Sequence, residues 1–578
     1  DLNECPGRSM LGIYAPNCPE WVIVEQGAIS QSIVTVPLYD TLGPDAVQYI
    51  TKLTGIQVVC CGAAQVGPVL DQGGISTVVQ LQGAPSPDAV AKASGCGIQL
   101  LPLQAVVDAG TRQPLPPTPP TPDMLFTICF TSGTTGNPKG VMLTHSNVIA
   151  NMAGIQSSGL DLYTGDVHIS YLPLPHMFER IVQLCCWYQG AAVGFFRGDP
   201  LLLLEDVGLL RPTVFPSVPR LFNRIYDKII SGVEARGGVA YFLFQKGLAA
   251  KTANLRTGQV THAVWDALVF NKLRALLGGR VRLMITGSAP IPAQVMNFLR
   301  CAFCCHVIEG FGQTETGAAA TMTMYGDTSV GHVGGPIACN EVRLQDVPEL
   351  NYLTSTTPPR GEVLIRGPNC FPGYFRDGEN TRETIDDEGW VHTGDIGEWL
   401  PNGALRIIDR KKNIFKLSQG EYIAPDKIEQ VYSRAPLVAQ LFVFGESLRS
   451  HLVAIVVPDP DAVAVWAAAH RTSNDMAALC SSPKFHAAVR AEMATAAGAG
   501  KLRGFEMVHA FHLEPEPFSA DNGILTPTFK LKRNIVRQCS LTRQTQDTKT
   551  DTERHRLKTQ PDTRHRHQTQ TDNTMNTD

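Results

Sequence analysis

The chain contains no apolar run of the ~18 residues needed to cross a bilayer as a helix. The nearest approach, "LCCWYQGAAVGFF" (184–196), is broken by Gln189 and two glycines and reads as buried strand or helix. It has no basic surplus either: 49 Lys and Arg stand against 53 Asp and Glu, a formal net charge of −4, with a pI near 6.5. Broad nucleic-acid binding needs a basic surface and is excluded. No signal peptide opens the sequence, and no repeat of solenoid period runs through it. The fifteen cysteines are too scattered, on too long a chain, for a small stapled scaffold. Cys301, Cys304 and Cys305 in "RCAFCCHVIEG" give a CxxC without a second pair at zinc spacing. They read as buried thiols in a reducing compartment, and the protein as intracellular.

What is present points to a large α/β enzyme. At 578 residues the chain exceeds one hydrophobic core, so two or more domains are expected. Apolar residues at 43% and charged residues at 18% are ordinary for a soluble globular protein. The opening "DLNECPGRSMLGIYAPNCPEWVIVEQG" falls quickly into a strand–turn–helix pattern, as of a large domain whose beginning is missing. Strands are expected at "IVTVPLY", "VQYITKL" and "VVCCG", alternating with helical segments. The proline-rich "PLPPTPPTPD" (114–123) is an extended spacer, followed by the strand "LFTICF". Further strands are expected at 281–287, 306–312 and 361–367. "ALRIIDRKKNIFKL" (404–417) passes from strand through a charged joint to strand and marks a boundary. The expected domains are a large one over 1–409 and a small mobile one over 410–537. A tail over 538–578 is too polar to offset its ordering entropy and is expected to be disordered.

The stretch "FTSGTTGNPKGVMLTHSN" (130–147) is not core sequence. Gly133, Gly136 and Lys139 do not fit GxxxxGK[ST], because the lysine follows Pro138 and precedes Gly140. The loop also runs from strand into another strand-like run before Thr144 opens a helix. Glycines that admit backbone N–H groups to an anion, several hydroxyls and one lysine make a good phosphate cradle. Taken alone, the stretch fits a flexible surface hairpin equally well.

Its surroundings distinguish the two. "TSGTTGNPKG" resembles the phosphate loop of the adenylate-forming superfamily, which includes acyl-CoA synthetases, luciferases and peptide-synthetase adenylation domains. "TGSAP" (286–290) and "EGFGQTETG" (309–317) are similar to its adenine-binding strand-loops. "GWVHTGDIGEWLPNGALRIIDRKKNIFKLSQGEYIAPDKIE" (389–429) is similar to its ribose-binding and hinge region. "YLPLPHMFER" (171–180), "RGPNCFPGY" (366–374), "SQGEYIAPDKIE" (418–429) and "NGILTPTFKLKR" (522–533) narrow the resemblance to eukaryotic long-chain fatty acid–CoA ligases, over about residues 10 to 533.

The resemblance implies the adenylate-forming fold, a large domain of α/β subdomains with a small mobile α/β domain. It implies an ATP-dependent ligase that makes acyl-AMP with pyrophosphate release and then passes the acyl group to coenzyme A. Thr131 and Glu315 would hold Mg²⁺, and Lys139 would serve the phosphates with Ser132, Gly133, Thr134, Thr135 and Gly136. Thr314 would bond the α-phosphate; Gly287, Glu309, Gly310 and Phe311 would surround the adenine. Phe311 stands where the family usually has tyrosine, so stacking is kept and a hydroxyl is lost. Asp395 would accept from both ribose hydroxyls, and Arg410, Lys412 and Lys416 would lie near ribose or phosphate. Asp409 would be the hinge, and Lys411 fits a solvated basic turn as well as a place in the site. Lys530 would be the lysine that enters for adenylation, with Lys532 the alternative. His176 would lie where acyl chain meets nucleotide, as a positioning or gating residue, or else be a satisfied structural histidine.

The partners implied are a long-chain fatty acid, ATP and CoA, with no nucleic acid and with peripheral membrane association. The family suggests the cytosolic face of the endoplasmic reticulum or the mitochondrial outer membrane. Two other readings stand beside this one. They are another acyl- or aryl-CoA ligase of the superfamily, and an impaired isoform that only binds fatty acid or nucleotide.

Overall fold

A computed structural model describes residues 9–39, 44–131, 138–419, 421–445, 449–519, 522–525, 531–533 and 535–536. The chain divides into two units, Asp1–Leu531 and Lys532–Asp578. In the second, the N–H groups of Ile535 and Val536 bond to the Lys532 carbonyl at 2.9 and 3.2 Å.

One seven-stranded sheet runs, edge to edge, through Gln99–Pro102, Thr77–Gln80, Val58–Cys61, Met10–Tyr14, Val34–Pro37, Leu125–Thr131 and Lys139–Thr144. Its pairs are parallel except the last, an antiparallel hairpin. Parallel strands are covered on both faces, and "VTVP" is buried along its whole length, as continuous apolar runs require. A second sheet runs through Gly335–Pro336, Thr321–Met322, His306–Phe311, Leu283–Thr286, Val214–Ser217, Val167–Ser170 and Ala192–Phe195. Its five longer strands are parallel, and the two short ones turn back antiparallel.

The helices His145–Ser157 and Met177–Tyr188 join these sheets. One core cluster contains Val148, Ile155, Met177, Ile181 and Cys185 from the helices, Cys129 and Val141 from one sheet, and Leu283 and Ile308 from the other. Arg180 reinforces the junction from within the core. It pairs with buried Glu25, donates to Thr127 Oγ1 at 3.1 Å and lies 4.5 Å from the Phe126 ring centre. A charge so buried is tolerated because its guanidinium is both paired and hydrogen-bonded.

A four-stranded antiparallel sheet follows, Glu341–Gln345, Arg360–Arg366, Val391–Trp399 and Leu405–Arg410. Beyond it, Val438–Phe444, Leu452–Pro458 and Val508–Leu513 form a three-stranded sheet. Among the described residues the buried core around this sheet runs from Leu417 to Leu513, with Phe415 packed against it. The strands expected at 281–287, 306–312 and 361–367 are present. So is the helix after Thr144, which opens with a reciprocal cap: Asn147 N donates to Thr144 Oγ1 and Thr144 N to Asn147 Oδ1.

One expectation fails. "VQYITKL" is not a strand but part of the helix Pro44–Thr54. Ala46, Val47, Ile50, Thr51 and Thr54 are buried while Gln48 and Lys52 are exposed. That is helical spacing, which outweighs the β-branched composition. Among the described residues no helix is long and apolar enough to cross a membrane.

Candidate active site

The hairpin Leu125–Thr131 and Lys139–Thr144 brings Thr131 opposite Lys139. The connecting residues Ser132, Gly133, Thr134, Thr135 and Gly136 lie outside the described residues. The segment "RGPNCFPGY" runs alongside this hairpin. Tyr374 bridges to Val141, Phe375 N donates to the Gly140 carbonyl at 2.8 Å, and Met142 N to the Gly373 carbonyl at 3.2 Å. This places the Tyr374 ring 5.1 Å from the Lys139 amine, which itself bonds to Asn380 Oδ1.

Glu315 sits in the short turn Thr314–Thr316, after the strand His306–Phe311. Asparagines fix the backbone behind it. The Asn151 amide donates to the carbonyls of Thr316 and Ala319 at 3.0 and 2.7 Å, and Asn369 donates to the same two at 2.8 and 3.3 Å. Phe371 N donates to the Glu315 carbonyl at 2.8 Å. On the side-chain side, Tyr374 Oη donates to Glu315 Oε1 at 2.8 Å. Burial, and then the Glu315 charge, hold the Tyr374 phenol well above its ordinary range, so it remains a donor. Lys139 and Glu315, 176 positions apart, thus meet on one tyrosine.

Gly287 and Gly310 lie at the ends of adjacent parallel strands, with Thr286 opposite Glu309. A Cβ on Gly287 would stand 2.9 Å from the Gly310 carbonyl oxygen, so only glycine lets the strands approach this closely. Burial pushes the Glu309 carboxyl up to about 8. Phe311 packs against a small cluster containing Val333, Val363, Ile365 and Leu405. Thr314 is buried in the turn beside Glu315.

Asp395 and Arg410 face each other on neighbouring antiparallel strands, and Arg410 Nε lies 3.2 Å from Asp395 Oδ1. At the joint, buried Asp409 accepts from Arg410 N at 2.6 Å and from Asp426 N at 3.0 Å. Asp426 belongs to the first turn of the helix Pro425–Tyr432, where a carboxylate is favoured by the open N–H groups. Lys411 reaches Glu362 Oε2 at 3.3 Å and Glu349 Oε1 at 3.5 Å while staying partly exposed. Lys412 and Lys416 are exposed, with the Lys416 amine 5.2 Å from the Tyr422 ring centre. His176 caps the helix Met177–Tyr188, its Nδ1 accepting from Phe178 N at 3.2 Å, a structural task. Lys530 lies outside the described residues, and Lys532 is half-buried within the second unit.

Tyr374, Asn151, Asn369 and Asn380 are the residues that sequence reasoning passed over. In the sequence, the motif holding Asn369 and Tyr374 marks kinship and does not by itself point to site residues. Among the described residues no cluster of His, Cys, Asp and Glu is arranged to hold a metal by itself. Glu315 and Thr131 supply a carboxylate and a hydroxyl, oxygen donors of the kind a hard cation such as Mg²⁺ takes when phosphates and water complete its shell.

Residues 6–375 match the family model described as AMP-binding enzyme. The adenylation domain of a carboxylic acid reductase from Segniliparus rugosus, solved with AMP and a co-purified carboxylic acid, superposes with a TM-score of 0.77 at 25% identity. That match covers 95% of this chain and 84% of the other. The fold is therefore that of an AMP-binding, adenylate-forming enzyme. The peroxisomal long chain acyl-CoA synthetase 6 of Arabidopsis thaliana is 48% identical over 534 residues, covering 91% of this chain and 76% of the relative. The human long-chain-fatty-acid–CoA ligase 1 is 44% identical over 560 residues, covering 93% and 80%. The chain belongs to the long-chain fatty acid–CoA ligases of the AMP-binding enzyme family.

Proposed function

We propose that this site activates a long-chain fatty carboxylate as its acyl adenylate and then transfers the acyl group to CoA. The observation that carries the reading is the meeting of Lys139 and Glu315 on Tyr374, with Glu315 in the turn that follows the strand carrying Glu309 and Gly310. Gly287, Glu309, Gly310 and Phe311 would line the adenine, and Asp395 would accept from the ribose hydroxyls. Lys139 and the loop 132–136 would receive the phosphates, and Thr314 the α-phosphate.

In the first half-reaction the carboxylate attacks the α-phosphorus and pyrophosphate leaves. No general base is needed, because a fatty carboxylate is already ionised at pH 7. The difficulty is bringing two anions together, so cations placed in advance contribute most. Lys139 would meet the phosphates as the nucleotide binds, and Lys530 would approach carboxylate and phosphate during adenylation. Glu315 and Thr131 would hold Mg²⁺, which supplies charge neutralisation when bound.

The domains are taken as 1–409 and 410–537, alternating between half-reactions about Asp409, with 538–578 as a tail. The separate core from Leu417 to Leu513 supports a small domain able to move as a body. Arg410, Lys412 and Lys416 would then shift with the joint. The setting is intracellular and peripheral to a membrane. The endoplasmic reticulum or mitochondrial outer membrane rests on resemblance, and two plant relatives are named as peroxisomal.

Pyrophosphate release tests the reading directly. Release that requires palmitate supports it. Release that ignores palmitate but responds to an aromatic acid favours the other ligase reading. No release from folded chain that still binds ATP points to a binding-only isoform.

A further inference from the structure

The CxxC segment plays no part in the proposed ligase chemistry, yet the fold gives one of its thiols an unusual neighbour. Lys251, on the helix Gly238–Leu255, is only 1% exposed. Its amine lies 2.9 Å from Cys304 Sγ and 2.5 Å from Asp266 Oδ1. The sulfur contact is as short as a nitrogen–oxygen hydrogen bond, although sulfur is the larger atom.

The surroundings hold the pair together. Asp266 opens a π-helical turn, Asp266–Phe270, and also accepts from His262 N at 2.7 Å. The Phe270 ring lies 4.8 Å from the Lys251 amine. Cys304 ends the helix Ala293–Phe303 in a left-handed conformation, φ 54°. Its side chain is half-buried, whereas Cys301 and Cys305 are fully buried. A small oxidant can therefore reach Cys304 before its neighbours.

We propose that Cys304 and Lys251 form an oxidation-dependent covalent bridge, Sγ–O–Nζ, with hydrogen peroxide as oxidant. One peroxide converts the thiol to a sulfenic acid and leaves as water. A second, entering past the half-buried Cys304 sulfur that lies 2.9 Å from the amine, converts the neutral amine to a hydroxylamine and leaves as water. Condensation of the two joins sulfur to nitrogen through one oxygen and releases a third water. Sulfur and nitrogen each lose two electrons, and the two peroxides accept all four. The extra proton of the lysine passes to Asp266 or to solvent.

A single bridging oxygen suits the present separation, whereas a direct sulfur–nitrogen bond would require the pair to close much further. Burial raises the Cys304 thiol and Lys251 only partly opposes it, so the bridge forms slowly near neutrality and faster as pH rises. Once formed, it ties the helix carrying Lys251 to the turn entering His306–Phe311, the strand that carries Glu309 and Gly310.

The test is mass spectrometry of the whole chain after graded hydrogen peroxide, digested without reductant. The expected product is a Lys251 peptide joined to a Cys304 peptide, heavier than their sum by one oxygen less two hydrogens. It should separate on treatment with dithiothreitol, vanish in Cys304→Ser and persist in Cys301→Ser. Cys304 found only as sulfinic or sulfonic acid, or in a disulfide with Cys301, beside an unmodified Lys251, would overturn the proposal. So would an intact Cys304 at peroxide levels that oxidise the buried Cys301 or Cys305.

Discussion

The Tyr374 hydroxyl donates a 2.8 Å hydrogen bond to Glu315 Oε1, while the same ring lies 5.1 Å from the Lys139 amine. One buried aromatic side chain thereby positions both an acid suited to Mg²⁺ and a base suited to phosphate. Tyr374→Phe keeps the ring and removes the donor. A lost hydrogen bond to a charged group is worth ~1.5–3 kcal/mol, so the rate should fall about tenfold or more at limiting Mg²⁺ and recover in part at high Mg²⁺. Initial rates across a Mg²⁺ series test this; a curve identical to the parent's would refute the positioning role.

Asp395 and Arg410 form a pair whose two members have different tasks. Asp395→Asn retains shape and one acceptor oxygen but loses charge, and should raise KM for ATP about tenfold, ~1.4 kcal/mol. Arg410→Ala should do less to KM if its main part is holding Asp395. Steady-state kinetics with ATP varied separate the two, and equal effects would place Arg410 on the nucleotide itself.

Gly287 is predicted to be intolerant of even one methyl group. Its Cβ would meet the Gly310 carbonyl at 2.9 Å, and backbone cannot swing aside as a side chain can. Gly287→Ala should cost ~1–3 kcal/mol of stability and weaken ATP binding. Gly27→Ala is the control, since nothing lies within 4 Å of its Cβ. Thermal melts of both variants, with and without ATP, decide the matter.

Glu309 gives a prediction in pH. Burial holds its carboxyl up at about 8, against an ordinary value of 4.5. Between those values the folded chain binds more protons than the unfolded one, so this group makes stability fall as pH rises through the window. Glu309→Gln removes that slope, which is at most about 1.4 kcal/mol per pH unit. Melting of nucleotide-free protein should favour the variant increasingly from pH 5 to 8, and parallel curves would contradict it.

Much of this was legible in the sequence, and the exceptions share a physical cause. Thr144 with Asn147 forms a local cap, and local rules read it correctly. "VQYITKL" misled because its β-branched residues also fall at helical spacing, and burial against the sheet decided between the two. Tyr374 was passed over because its task depends on meeting Glu315 and Lys139, neither of which is near it in sequence. The same holds for Asn380, 241 positions from its partner Lys139. Lys411 stayed open between a solvated turn and the site because its partners Glu362 and Glu349 come from a different part of the chain. The resemblance, rather than periodicity, supplied the substrate class.

The measurement that tests the central claim most directly is palmitoyl-CoA formation from palmitate, ATP, Mg²⁺ and CoA by the whole chain. Glu315→Gln, Lys530→Ala and Lys532→Ala are run beside it. The account predicts product from the parent and from Lys532→Ala, with a loss of ~100-fold or more in Glu315→Gln and Lys530→Ala. Full activity in Glu315→Gln, or no product from a folded parent that binds ATP, would contradict it.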